Sequence, residues 1–368
     1  MGGEVLIYGY GLICLSMLIF NLIYAAHLRS DAKRTVKRTG RIAALAAPLL
    51  EGGGPAPACL ERLSRRLERA GNLLALDEWL RTLEPERAEL FFSRAAPLFG
   101  RLADAYAKRG EIDGAYFCHF IAGWGEHLGP VRDGLVPKLA AFARRKSLYS
   151  RVNALKALCA LGDGQAVLDT LAFLCDDASG AYIHQKIVVE TLMGFSGDYH
   201  SLIALIWERF GRFPAAAHRT LLDYIRFRSG EYSDKMLKIL LDGGLDKELR
   251  FAAVRYFGRY PDERARETLL RFASDTDTAR WEYAAISASS LASYPGEDTF
   301  RALSSAMHSP NWYVRYNSAT SLEKLGFDYE DLLGGAAGSD RYAREMLTYW
   351  LETRRLTAEE GKKEAVRA

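Results

Sequence analysis

The sequence predicts an all-α fold, a single N-terminal transmembrane helix followed by a stack of helical hairpins, and two observations carry that prediction. The first is an apolar run, Val5 to Ala26, with no charged residue in 22 positions. The second is a register that recurs through the second half of the chain. It is plainest at Pro310 to Gly326, PNWYVRYNSATSLEKLG, whose Arg315 has counterparts at positions 151, 185, 219, 250, 284 and 344. The gaps of 34, 34, 31, 34, 31 and 29 residues match the period of a two-helix repeat, and five of the seven positions are Arg.

Composition narrows the class. Hydrophobic residues make up 49% of the 368-residue chain, which excludes a disordered polypeptide. The five cysteines, Cys14, Cys59, Cys118, Cys159 and Cys175, form no CxxC pair and read as small core residues in a reducing compartment. Of 49 basic and 46 acidic residues, six and two lie before residue 42, which leaves 43 against 44. The folded part is therefore neutral, and we expect no nucleic-acid partner, since such a surface needs a basic face.

At about 1.5 Å per residue, Val5 to Ala26 spans a hydrocarbon core of about 30 Å. The start, MGGE, lacks the positive charge of a cleaved signal peptide, and the basic cluster follows the run instead. That Lys/Arg bias places the N-terminus outside and the bulk of the chain in the cytoplasm, as an uncleaved single-pass protein of the inner (cytoplasmic) membrane. Gly11, Cys14, Leu18 and Asn21 share one helix face, where small residues and an amide suit a transmembrane helix partner. From His27 to Arg41 basic residues recur every three to four positions. Lys33, Arg34, Lys37 and Arg38 would meet anionic lipid head groups, although the topology rule alone already calls for charge here. Residues 1–26 thus read as the anchor. Residues 27–58 read as a basic juxtamembrane segment closed by a Gly/Pro linker, EGGGPAPA.

Residues 59–146 read as helical throughout. Leu60, Leu63 and Leu67 form one stripe beside Arg62, Arg65, Arg66 and Arg69, a run that reads as a solvated face. Pro85 is placed to start a helix over Glu86 to Lys108. Phe99 to Ala122 resembles a tetratricopeptide unit. Leu102, Ala103, Tyr106, Gly110, Ala115 and Ala122 stand at that family's Leu, small, Tyr, Gly, Ala and Ala positions, with Phe99 for the usual Trp and His119 at the aromatic site. His119 and His127 lie eight residues apart, with Glu126 between them. That is not the one-turn spacing of an HExxH zinc helix, so both read as core or surface histidines.

From residue 147 to 356 the register is regular. Arg151 with Ala154 and Leu161-Gly162, Arg250 with Ala253, and Val314-Arg315 with Ser318 and Leu325-Gly326 resemble the short HEAT-like repeats, whose first helix carries VR-x-x-A and ends near Leu-Gly. Trp281 and Trp312 hold one shared place in that register. The resemblance implies an α-solenoid, a right-handed superhelix with second helices lining a concave face. Those second helices open on Gly162-Asp163, Gly197-Asp198, Gly230-Glu231, Pro261-Asp262 and Gly296-Glu297, where Gly can take positive φ and the acid can cap. A lone hairpin cannot bury both apolar faces, so the units must stack. The recurring Arg reads as a structural ladder that bonds backbone carbonyls or a carboxylate of the next unit, because Gln185 and Ala284 interrupt what an anion track would keep. Asp340 to Leu356 reads as a capping helix, and residues 357–368 as a disordered tail.

No catalytic, cofactor-binding or metal-binding residue stands out, and no cofactor is expected. The expected role is a protein-protein interaction scaffold or adaptor at the membrane and not an enzyme. It would be an accessory or regulatory subunit of a bacterial membrane complex, for example one of envelope biosynthesis or transport. Two other classes share the implied fold. One is the HEAT-like enzyme or nucleic-acid-binding protein, of the DNA-glycosylase or bilin-lyase kind, which the neutral charge of residues 42–368 and the anchor oppose. The other is a ligand-sensing regulatory solenoid, for which Arg144-Arg145-Lys146 would be the phosphate contact.

Overall fold

The computed structural model describes residues 2–51, 57–176, 180, 183–327 and 340–367, with eighteen α-helices and no strand among them. By contacts the chain divides into two compact units, Met1–Arg209 and Phe210–Ala368. The division does not fall at residue 147, where the regular register begins, because the helix that starts there packs on the two before it.

The first unit opens with α1 (Gly2–Ala46), one uninterrupted helix of 45 residues. Among the described residues it alone is long and apolar enough to cross a membrane, and nothing in its window Tyr8–Ala25 is buried. Its other end is different. Ile42 and Ala46 are buried, α1 packs on α3 (Ala70–Leu80), and the Thr39 hydroxyl donates to Glu78 Oε2 at 2.8 Å. From α4 (Pro85–Ala107), Arg94 Nη1 then donates to the carbonyls of Leu49 at 2.8 Å and Glu51 at 2.6 Å. The segment that reads as a juxtamembrane tether is thus part of the folded body as far as Glu51. The rest of the Gly/Pro linker, residues 52–56, lies outside the described residues.

α2 (Pro57–Leu67) buries Leu63 and Leu67 and leaves its arginines exposed, as the stripe predicts. Pro85 occupies the first turn of α4, where its missing N–H costs nothing. α4 and α5 (Glu111–Trp124) form a hairpin with Leu102, Ala103 and Tyr106 buried, and the Tyr106 hydroxyl donates to the Leu67 carbonyl at 2.8 Å, tying α4 to the end of α2. α6 (Arg132–Ala143) leads into α7 (Leu148–Ala160), which packs chiefly on α5 and α6. α8 (Gly164–Leu174), α9 (Gln185–Met193) and α10 (Tyr199–Arg209) complete the unit.

The second unit runs α11 (Ala215–Arg228), α12 (Ser233–Leu241), α13 (Lys247–Arg259), α14 (Glu263–Ala273), α15 (Trp281–Ser290), α16 (Glu297–Ala306), α17 (Trp312–Lys324) and α18 (Arg341–Arg367). The register positions 151, 185, 219, 250, 284 and 315 fall on α7, α9, α11, α13, α15 and α17, one first helix each, and 344 on α18. The intervening helices bury the expected apolar positions, among them Leu168 and Leu171, Leu202 and Ile206, Met236 and Leu240, Leu269, and Leu303. The backbone remains helical to Arg367, through the segment that reads as a disordered tail. Its Ala, Glu, Lys and Arg are strong helix formers even without an apolar stripe.

Turn chemistry accounts for the hairpins only in part as expected. Asp163, Asp198 and Asp262 accept from the amides of Ala166, Ser201 and Arg264 at 2.9, 3.0 and 3.0 Å, satisfying donors that a helix start leaves open. Gly162 has the positive φ, 69°, that a helix end calls for. Gly197 and Gly230 do not take positive φ. Gly230 is required for room, since a Cβ there would stand 2.7 Å from the Tyr260 ring.

In the second unit first helices meet at close range. A Cβ on Gly258 of α13 would stand 2.7 Å from Ser290 Oγ and 3.0 Å from Ser290 Cα on α15. The Ser290 hydroxyl donates to the Val254 carbonyl at 3.0 Å, and Asn317 Nδ2 of α17 donates to the Ala285 carbonyl at 2.8 Å. Ion pairs continue the seam: Arg219 with Glu248 at 2.6 Å and Lys247 with Glu282 at 2.6 Å.

Gly258→Ala is expected to cost about 1–3 kcal/mol by overpacking this seam, read as a lower urea midpoint at unchanged slope. Gly243→Ala, with nothing within 4 Å of its Cβ position, should shift the midpoint little. Burial pushes the Cys118 and Cys159 thiols up to about 12, from 9.0. A proton held more tightly when folded contributes stability that is whole below pH 9 and is lost as the pH rises to about 12. Urea stability is therefore expected to decline across that window, and less steeply in a Cys118→Ala/Cys159→Ala variant.

Candidate functional site

The register arginines are engaged within the fold. Arg315 on α17 is 8% exposed, and its Nη1 donates to the carbonyls of Ser309 at 2.7 Å and Pro310 at 3.0 Å. Arg151 Nε donates to the Arg145 carbonyl at 2.7 Å, and Arg250 Nε to the Leu240 carbonyl at 3.3 Å. All three reach back to where the preceding helix ends, a place of open carbonyls and partial negative charge. Arg219 instead pairs with Glu248 on the next first helix.

Exposed and half-buried aromatic side chains gather on those same first helices. Trp281 of α15 stacks on Tyr313 of α17 with centroids 5.7 Å apart, Trp312 stacks on Tyr316 at 4.9 Å, and Tyr349 of α18 meets Trp312 edge-on at 5.8 Å. The Arg315 guanidinium lies 5.3 Å over the Tyr342 ring. Trp312 is 40% exposed and Tyr313 57%. Tyr, Trp and Arg are the residues enriched at protein interfaces, because each brings a large contact area at low entropy cost. The resemblance points to the second helices as the binding face, whereas these rings sit on first helices and α18. Trp281 and Trp312 share a register place in the sequence, which was the available signal.

The remaining residues singled out by sequence lie in the first unit. The His127 ring stacks on Phe92 at 5.3 Å, and its Nε2 is 3.6 Å from Glu126. His119 lines a separate hollow of about 310 Å³ with Tyr116, Tyr149 and Asn153. Of the basic triplet, Arg144 lies 4.5 Å over the Phe173 ring, and Arg145 Nη2 donates to the carbonyls of Tyr106 at 3.2 Å and Ala107 at 2.6 Å, where α4 ends. Those two cations are held by the fold. Gly11, Cys14, Leu18 and Asn21 are all exposed along the apolar window of α1. Lys33 is exposed as well, while Arg34, Lys37 and Arg38 turn out to line a cleft of about 890 Å³ together with Arg66 and Arg69 from α2 and the turn after it. The sequence separates these two groups by more than 25 residues, and each alone reads as ordinary solvated charge.

Residues 233–323 match the family model of HEAT repeats. The match begins at the first residue of α12 and stops one residue short of the end of α17, and it takes in the close seam and the Arg250 and Arg315 clamps but not Arg151. No curated protein matches the chain.

Replacing Arg315 with Ala removes a charged donor from two carbonyls, and about 1.5–3 kcal/mol of stability is expected to go with it. Arg315→Lys should restore only part, since one ammonium cannot reproduce the planar fork. Urea unfolding of both variants, beside the exposed Arg301→Ala as a near-neutral reference, checks the order.

Proposed function

We propose that the protein is a membrane-tethered interaction scaffold, an accessory subunit that presents the aromatic rings of its HEAT repeats to a partner protein. The observation that carries this reading is the group of exposed Trp312, Tyr313 and Tyr349 around the half-buried Tyr316, held in place by the seam beneath it. Repeat arrays supply extended surface and not a closed reaction site. The apolar window of α1 supports a single crossing with the N-terminus outside, in the cytoplasmic membrane, given the Lys and Arg that follow it. The partner is then a membrane protein of a bacterial complex, of envelope biosynthesis or transport, met on one side by the rings and within the bilayer by the Gly11, Cys14, Leu18 and Asn21 face. Lys33 and Arg34, about 10 and 12 Å along the helix from Ala26, are near enough for long side chains to meet anionic head groups.

Two measurements test this. The full chain should stay in the membrane pellet after alkaline carbonate washing, with residues beyond 42 cleaved by protease only when the cytoplasmic side is open. Release into the supernatant would remove the tether. Affinity purification from solubilised membranes should recover a stoichiometric partner, and Trp312→Ala/Tyr313→Ala should cut that recovery at least tenfold. Asn21→Leu should weaken it separately, and equal recovery by all three proteins would end the scaffold reading.

A further inference from the structure

The cleft between α1 and the α2–α3 turn combines three features. Its walls carry Arg34, Lys37, Arg38 and Arg41 from α1, with Arg66 and Arg69 opposite, and no carboxylate lines it among the described residues. Among the described residues Lys37, Arg41, Arg66 and Arg69 make no side-chain ion pair or hydrogen bond, whereas nearby Arg65 is held by Glu61 and Arg109 by Glu68 and Asp113. Charges that the fold needs are paired in this unit, and these are left open. Beneath them the floor is apolar, made by Ile42, Ala44 and Leu45.

The first turn of α3, Gly71 and Asn72, closes the cleft, and the positive end of that helix adds to the field. Arg38 Nη1 lies over this turn, 3.5 Å from the Gly71 carbonyl, in space that any Cβ at position 71 would take. A volume of about 890 Å³ falls inside the range of roughly 300–1,000 Å³ usual for small-molecule sites. Guanidinium groups take phosphate oxygens two at a time, which a scattered ammonium surface does not.

We propose that this cleft binds a soluble organic phosphate carrying at least two negative charges, its phosphates on Arg41, Arg66 and Arg69 and its carbon skeleton on the Ile42 and Leu45 floor. The alternative source of the same chemistry is a lipid headgroup, and distance decides between them. At about 1.5 Å per residue, Lys37 and Arg41 stand about 16 and 22 Å along α1 from Ala26. The headgroup layer extends only about 5–8 Å beyond the hydrocarbon on each side. A tilt as large as about 40° still leaves Arg41, the phosphate contact on α1, about 17 Å out. The choice of a soluble source rests on the membrane reading of α1, and the chemistry of the cleft does not.

The test uses the full chain in nanodiscs of neutral phosphatidylcholine, titrated by calorimetry with pyrophosphate and with ADP. Saturable one-to-one binding is expected, weaker at high salt and tighter for ADP because of the apolar floor. Arg41→Gln/Arg69→Gln should lower affinity at least tenfold, with the melting temperature unchanged because neither side chain holds the fold. Arg41→Lys/Arg69→Lys should recover affinity in part.

Absence of binding by both probes, or equal binding by the Gln variant, would overturn the proposal. So would selective retention of an anionic phospholipid from mixed-lipid nanodiscs, lost in the Gln variant, when neither soluble probe binds. Carbonate extraction reports on the anchor independently, so failure of the tether and failure of the cleft are told apart.

Discussion

A helical hairpin has two apolar faces and can cover only one by itself, and that imbalance organises the second unit. The answer in this chain is a seam of first helices brought so close that Gly258 has no room for a side chain and Ser290 and Asn317 reach the backbone carbonyls of the neighbouring helix. Close approach of backbones leaves helix ends crowded, with carbonyls that need donors. Arg250 and Arg315 supply them from the start of the next helix, whereas Arg219 donates to the Glu248 carboxylate. Packing and polar satisfaction therefore meet at the same helix ends on α13 and α17, while α15, with Ala284 at the register position, keeps the close packing without a clamp.

This coupling explains what could be read from the sequence. The clamp works over six to ten residues of chain, from Arg315 to Ser309 or from Arg250 to Leu240, so it leaves a local mark that recurs with the period. The capping acids Asp163, Asp198 and Asp262 are equally local and equally legible. Gly197 and Gly230 were not, because what they accommodate is a neighbouring ring and not their own backbone angle, and a ring at position 260 carries no signal at position 230. The exposed rings were half legible: Trp281 and Trp312 mark a register, but only the packing shows which faces remain uncovered.

The basic cleft was invisible in the sequence for a related reason. Arg38 and Arg66 come together because Ile42 and Ala46 are buried where α1 packs on α3. In the sequence that stretch looks like the frayed end of an anchor before a Gly-rich break. Each cation separately has an ordinary explanation, membrane topology for one set and a solvated helix face for the other. Their convergence is a property of the tertiary contact alone.

That contact also changes what a tether means here. Eight residues of a flexible Gly/Pro segment would let a body wander by about 16 Å around its attachment point, enough for the cleft to touch the head groups or to leave them. α1 has no such joint between its apolar window and its buried end, and Arg94 fastens the chain just beyond it. Under the proposed tether the first unit would therefore be carried on a fixed post, with its open cations on the water side of the interface. A cleft that must meet lipid would gain from a joint, whereas one that samples solutes at a constant height above a bilayer would gain from rigidity, and the uninterrupted helix suits the second.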